Sequence, residues 1–277
     1  MKPKTLILRS AGTNCDAETA HAFELAGATT QAVHVNRLLE NPAILQDFQL
    51  LAFPGGFSYG DDIAAGRILA NQIKHHLPDA VRRFIDDGKP VIGICNGFQV
   101  LIKTDLLPGT VGGRTGQTCT LAHNDSGRFI DKWVRLAPRG NKCVWTAGLD
   151  EAGGEVLELP IAHGEGKFVP ADESVRRALW DNDQVALVYA KEDGSPAGGP
   201  ASSDNPNGSV DDIAGVCDAT GLVFGLMPHP ERHVDPTQHP AWTSRRGPRG
   251  ELPREGQGLR IFRNAVRHAT AGVGSGV

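Results

Sequence analysis

The stretch Pro90-Val91-Ile92-Gly93-Ile94-Cys95-Asn96-Gly97-Phe98-Gln99 decides how this chain is read. Its first half is a short apolar run, which predicts a buried strand. Its second half sets one thiol between Gly93 and Gly97 and then enters a helical pattern. Strand, sharp turn and helix, with a reactive side chain at the tip, is the nucleophile-elbow arrangement, where only residues without a Cβ fit beside the turn. Cysteine is a good nucleophile near neutral pH because part of it is already thiolate, and a helix N-terminus lowers its pKa further. Cys95 therefore predicts acyl transfer through a thioester.

Working outward, the first half of the chain alternates strand and helix. Thr5–Leu8, Thr30–Val35, Leu50–Phe53 and Val91–Ile94 read as strands, and Asp16–Ala26 and most of Ile63–Asp87 as helices. That alternation predicts an α/β fold with a mostly parallel central sheet flanked by helices. Ligands in such sheets bind beyond the C-terminal strand ends. Gly55-Gly56 and Cys95 both follow strand ends and should share one rim. The middle of the chain changes character. Lys132–Leu136, Glu155–Ile161 and Gln184–Ala190 read as strands without strong helices between them, which predicts a mixed or antiparallel sheet extension. Val210–Val216 and Leu222–Met227 follow as a hairpin-like pair. The Pro-, Arg- and Gly-rich segment 233–256 reads as a long exposed loop, Leu259–His268 as a helix, and 271–277 as a disordered tail after a single domain spanning 1–270.

A thiol nucleophile needs a base, and the base needs an orienting group. Among ten histidines, His229 stands out in Met227-Pro228-His229-Pro230-Glu231. The prolines stiffen the segment, and residues i and i+2 of an extended stretch share a face, which sets Glu231 beside His229. His163 is the alternative base. Consecutive glycines in Phe53-Pro54-Gly55-Gly56-Phe57 allow a backbone N–H to turn toward a neighbouring site, so Gly56, with the N–H of Asn96, is the candidate oxyanion hole. The Gly-rich stretches Pro160–Phe168 and Asp204–Ser209 either line a pocket for a small polar ligand or form turns between strands.

The bulk properties exclude several classes. The chain has 277 residues and a net charge of −4, which gives no basic footprint for nucleic acid or an anionic membrane. No apolar run is long enough to span a bilayer. Five scattered cysteines, without a C-x-x-C pair, indicate neither a disulfide framework nor a zinc site and suit a reducing cytoplasm. There is no phosphate-cradling P-loop, no dinucleotide fingerprint and no H-E-x-x-H metal spacing.

Taken in order, Pro54-Gly55-Gly56, Gly93-Ile94-Cys95-Asn96-Gly97-Phe98-Gln99 and His229-Pro230-Glu231 resemble the class I, triad-type glutamine amidotransferases, whose fold is flavodoxin-like. Gly12-Thr13-Asn14-Cys15-Asp16, Phe57–Asp61, Ala162–Gly166, Asn207-Gly208-Ser209 and Met227–Arg232 narrow the resemblance to the glutaminase components of phosphoribosylformylglycinamidine synthase. The resemblance implies hydrolysis of L-glutamine to glutamate and ammonia, with Cys95, His229 and Glu231 as the triad. It implies a glutamine pocket involving Gln99, His163, Gly164, Glu165 and Phe168. It implies no cofactor or metal in this chain, with ATP and Mg²⁺ on a large synthetase component, and an optional small accessory component. The alternatives are a stand-alone γ-glutamyl hydrolase or an amidotransferase subunit of another pathway. Two departures stand out: Ser10-Ala11-Gly12 lacks the family's proline, which predicts a smaller contribution from the first turn, and the 233–256 loop is long. Its place directly after Glu231 leaves it as a cover, a partner contact or a solvated insertion.

Overall fold

A computed structural model describes residues 2–149, 156–247 and 250–274. The N-terminal half runs β1 (Lys4–Arg9), α1 (Asp16–Leu25), β2 (Thr29–His34), α2 (Val35–Glu40), β3 (Leu50–Phe53), α3 (Arg67–His76), α4 (Pro78–Asp86), β4 (Val91–Ile94) and α5 (Asn96–Lys103). The remainder runs β5 (Cys119–Ala122), β6 (Ile130–Pro138), β7 (Leu157–His163), β8 (Lys167–Pro170), α6 (Glu173–Asp181), β9 (Val185–Tyr189), β10 (Ile213–Cys217), β11 (Val223–Leu226) and α7 (Leu259–Gly274). One nine-stranded sheet has the order β2-β1-β3-β4-β11-β10-β9-β6-β7, and β5 and β8 form a separate antiparallel pair.

The sheet divides at β11. From β2 to β11 neighbouring strands are parallel; from β11 to β7 they are antiparallel. The inner parallel strands β1, β3, β4 and β11 are buried on both faces and read as continuous apolar runs, with Leu6, Ile7, Leu50, Val91, Ile92, Ile94 and Leu226 fully or almost fully covered, whereas the edge strand β2 is mostly exposed. Each such side chain contributes about 1.5–3 kcal/mol of hydrophobic stabilisation. In the antiparallel extension β9 and β10 remain buried throughout, and the edge strand β7 is more one-sided, alternating buried and half-buried residues along Leu157–His163.

What matters for the site is the order β1-β3-β4-β11. Four sequence motifs follow the C-terminal ends of these adjacent strands: Gly12–Asp16 after β1, Gly55-Gly56 after β3, Cys95 after β4 and His229 after β11. Register pins them together, with Phe53 opposite Gly93 and Ile94 opposite Leu226. Residues far apart in sequence thus reach one rim because their strands are neighbours.

Four expectations need correction. The segment 171–183 carries α6, capped by the Asp172 carboxylate accepting from Val175 N–H (3.0 Å). Helix α7 continues to Gly274, past the point where a disordered tail is expected at 271; residues 275–277, like Glu155 at the start of an expected strand, lie outside the described residues. The 233–256 segment is not simply an exposed loop. Its first part forms two short 3-10 turns, Pro236–Gln238 and Trp242–Arg245, and His233 and His239 are buried against Trp133 with centroids 5.1 and 4.4 Å away. Glu158 on β7 accepts from Arg245 and lies 3.4 Å from Arg135 and 3.3 Å from His239. Periodicity does not report this, because the segment is held by side chains rather than by a helix or ladder. Finally, the first turn is not diminished: Gly12 O and Ala11 O accept the N–H groups of Phe57 (2.9 Å) and Tyr59 (2.7 Å), so it cradles the Gly55–Tyr59 loop. Among the described residues no helix is long and apolar enough to cross a membrane.

Candidate active site

The elbow is as tight as its glycines require. Cys95 sits at φ 51°, ψ −106°, a backbone conformation that a side chain rarely adopts. A Cβ on Gly97 would lie 1.9 Å from Phe53 O, and one on Gly93 would lie 2.6 Å from Gly97 O. The strand, the turn and the first turn of α5 therefore pack backbone to backbone. The Cys95 N–H donates to Leu226 O (2.8 Å), which locks the elbow to β11, and the thiol lies 3.7 Å from Ala162 O.

His229 is 2% exposed and Glu231 is 1% exposed. Their side chains meet, His229 Nδ1 to Glu231 Oε1, at 2.6 Å. The pairing expected from extended geometry is present for a different reason: Pro230–Arg232 form a 3-10 turn, and the turn brings the carboxylate back beside the ring. The His229 N–H donates to Pro160 O (2.8 Å), anchoring the segment on β7. His229 Nε2 has no hydrogen-bond partner among the described residues. Burial opposes charge on this imidazole, but the Glu231 carboxylate, the Cys95 sulfur and a contact from Cys15 outweigh it, raising the pKa well above the ordinary histidine value. An imidazolium between a carboxylate and a thiol sulfur stabilises a thiolate.

His163 lies in the same region but in a different state. Asn124 Nδ2 donates to His163 O (2.8 Å) and Arg128 O (2.9 Å), so Asn124 Oδ1 must be the acceptor for the Gly166 N–H and for His163 Nδ1, both at 3.1 Å. His163 is then the Nδ1–H tautomer with a bare, buried Nε2. Burial, reinforced by His229, pushes its pKa down to about 3. A ring held neutral in this way is poorly suited to carry a proton, which favours His229 as the base.

The side chains around the elbow form one network. Asn96 Oδ1 accepts from Ser58 N–H (3.1 Å), and Asn96 Nδ2 donates to Asp61 (3.0 Å) and to Gln99 Oε1 (2.9 Å). Gln99 Nε2 donates to Glu165 O (2.6 Å). Asn96 and Gln99 therefore join the Gly55–Asp61 loop to the 163–168 turn. Asn96 also opens α5, where its N–H has no intrahelical acceptor. Gly56 has φ 141°, and a Cβ there would meet Gly12 O at 2.6 Å. Of the remaining expected pocket residues, Gly164 and Glu165 lie on the turn joining β7 to β8, with Glu165 part-exposed. Phe168 does not fit that expectation: it is 1% exposed and stacked on Phe98, so its side chain belongs to the core. The Asp204–Ser209 stretch is a buttress and not a pocket wall. Asn207 Nδ2 donates to Gly166 O (2.8 Å), Ser209 Oγ accepts from Phe168 N–H (3.0 Å), and Asn205, Asn207 and Ser209 are buried. Sequence reading missed Asn124, whose only sequence signal is a polar residue in a turn.

The sheet, its flanking helices and the rim that carries Cys95, His229 and Glu231 agree with the class to which the chain's similarity assigns it, the glutamine amidotransferase domains. The CobB/CobQ-like glutamine amidotransferase domain matches residues 2–269. The chain is 48% identical to phosphoribosylformylglycinamidine synthase subunit PurQ of Dehalococcoides mccartyi, covering 97% of this chain and 98% of that protein, and 41% identical to the PurQ of Methanococcus maripaludis, covering 96% and 97%. Among solved structures, PurLQS from Thermotoga maritima aligns with a TM-score of 0.69 at 32% identity, covering 96% of this chain and 99% of that one. A glutamine amidotransferase from the same organism, at 16% identity and TM-score 0.53, shares the fold over 97% of this chain and 99% of that one. The chain belongs to the PurQ family of phosphoribosylformylglycinamidine synthase subunits.

Proposed function

We propose that this protein is the glutaminase component of phosphoribosylformylglycinamidine synthase, releasing ammonia from L-glutamine for use by a separate synthetase subunit. The observation that carries the chemistry is the strained Cys95 elbow facing a buried His229–Glu231 pair 2.6 Å apart. Family membership over nearly the whole chain supports the acceptor pathway. In this reading the Cys95 thiolate attacks the side-chain amide carbon of glutamine. The developing oxyanion is received by the N–H groups of Gly56 and Asn96. His229, protonated when the thiolate forms, gives that proton to the departing nitrogen, and ammonia leaves as the C–N bond breaks. A γ-glutamyl thioester remains on Cys95. His229, now neutral, takes a proton from water as it attacks, the C–S bond breaks, and glutamate departs. Glu231 holds the ring tautomer throughout and offsets the imidazolium charge.

Gln99, Gly164 and Glu165 shape the glutamine pocket, with Asn96 and Asn124 holding the loops that carry them. His163, with its bare Nε2, offers an acceptor to a substrate N–H. The synthetase binds ATP, Mg²⁺ and the formylglycinamide ribonucleotide, and a small accessory component completes the assembly. Five free, buried cysteines suit a reducing cytoplasm.

The test is ammonia release from glutamine by the wild type and by Cys95→Ala, each with and without the synthetase. Partner-dependent release by the wild type and none by the variant is expected. Full activity without the partner would instead indicate a stand-alone γ-glutamyl hydrolase, and equal activity of the two proteins would remove the thioester mechanism.

A further inference from the structure

The Gly12–Asp16 motif contains a second thiol that the chemistry above does not use. Cys15 is 1% exposed and precedes α1. Its N–H donates to Gly55 O (3.2 Å), and its carbonyl accepts from Thr19 Oγ1 (2.6 Å) and Thr19 N–H (3.0 Å). The backbone of Cys15 is thus fixed to the oxyanion loop on one side and to α1 on the other. Its sulfur is fixed as well. The S–H donates to Asn14 Oδ1 (3.2 Å), and Arg232 Nη2 donates to the sulfur (3.2 Å). Arg232 Nε in turn donates to Glu18 Oε1 (2.9 Å).

The sulfur lies beside the catalytic ring. Cys15 Sγ, a His229 ring nitrogen and a Glu231 carboxylate oxygen are all within 4.8 Å of one another. A Cβ on Gly55 would meet His229 Cε1 at 2.9 Å and Cys15 Sγ at 3.0 Å, so Gly55 is the floor on which ring and sulfur rest together. We propose that Cys15 is a positioning residue for His229, the polarisable link through which the Arg232–Glu18 ion pair holds the ring against Cys95. This rests on the reading of His229 as the proton carrier.

Two other roles fit the surroundings less well. A metal ion at this cluster would sit against a guanidinium 3.2 Å from the sulfur. A second nucleophile would need an ionised thiol, whereas burial raises the Cys15 pKa. As a neutral thiol whose proton is given to Asn14, Cys15 turns sulfur electron density toward the ring and the guanidinium. It favours the imidazolium. The groups facing His229 are then Glu231 from its own turn, Cys95 from the elbow, His163 from the end of β7 and Cys15 from the first turn, with Arg232 behind the Cys15 sulfur and paired to Glu18. Cys15 is the member that contacts both the ring and the cation.

The test uses Cys15→Ala and Cys15→Ser in the complete complex, with glutaminase pH profiles, and the full chain alone for NMR titration of the His229 ring. Cys15→Ala is expected to lower kcat by about tenfold, with KM for glutamine within about twofold, and to move the His229 titration about one unit toward acid, one unit being a tenfold change in proton affinity. Cys15→Ser, which keeps a polar contact to Asn14 and Arg232, should recover part of both effects. If the alanine variant does not fold, the serine variant must still show a shifted titration. A His229 titration unmoved in every folded variant, or a lower melting temperature with an unaltered pH profile, would overturn the proposal. The ring titration needs no turnover, so a wild type that releases no ammonia would count against the glutaminase reading and leave this measurement to be judged separately.

Discussion

Replacing Gly97 by Ala tests the elbow with the least chemical change. The added Cβ would lie 1.9 Å from Phe53 O, whereas real Cβ contacts essentially never fall under 3.0 Å. Helix α5 and the end of β3 must therefore separate by at least roughly 1.1 Å, and both contact atoms are backbone, so no side-chain rotation relieves the clash. Phe53 directly precedes Pro54-Gly55-Gly56, which places the displacement between Cys95, at the start of α5, and Gly56, the proposed oxyanion donor on the β3 side. A misplacement of about 1 Å costs on the order of 100-fold in rate, and overpacking costs about 1–3 kcal/mol of stability. The assay is glutamine-dependent ammonia release with the synthetase present, read beside thermal unfolding of the same preparation. Gly93→Ala provides the graded comparison: its Cβ would meet Gly97 O at 2.6 Å, demanding roughly 0.4 Å, and its loss of kcat/KM should be smaller. A folded Gly97→Ala protein with wild-type kcat/KM, or a reversed order of the two variants, would refute the claim that backbone contact sets the site.

Three further predictions follow from the side chains. The raised His229 pKa means that the folded state binds a proton the unfolded chain has released, so this group's stabilisation is complete below about pH 6.5 and is lost as pH rises through the folded value; Glu231→Gln should flatten that alkaline decline in melting temperature and lower kcat by about 100-fold or more. His163 has the opposite sign: its pKa is lowered to about 3, so its contribution is present above about pH 6.5 and is lost as pH falls toward 3, and His163→Gln should reduce acid sensitivity in a pH series of unfolding curves. Glu158→Ala should release the 236–245 segment from β7, seen as faster tryptic cleavage at Arg245 and Arg246 with little change in unfolding of the rest of the chain.

The parts legible in the sequence are those set by local geometry. Continuous apolar runs marked β1, β3 and β4, and the glycines around Cys95 marked a turn that now proves to be packed backbone to backbone. His229 and Glu231 were legible as a pair, although the turn that joins them was not, because a 3-10 turn after proline has no periodicity to read. Asn124 and the Asp204–Ser209 buttress were hidden for another reason. Their work is done by side-chain amides on carbonyls about 40 residues away, and no local pattern encodes such a partner. Phe168 was placed in the pocket by resemblance, but its ring packs on Phe98. The 233–256 segment has a loop's composition, yet Glu158 and Trp133 hold its first half in place.

The central claim is that glutamine is opened at Cys95 and no other thiol. Rapid acid quench of the assembled complex during glutamine turnover, followed by peptide mapping, reads this directly. The account predicts a γ-glutamyl group on the peptide containing Cys95 and none in the Cys95→Ala protein. A γ-glutamyl group on Cys15 instead, or undiminished ammonia release by Cys95→Ala, would contradict it.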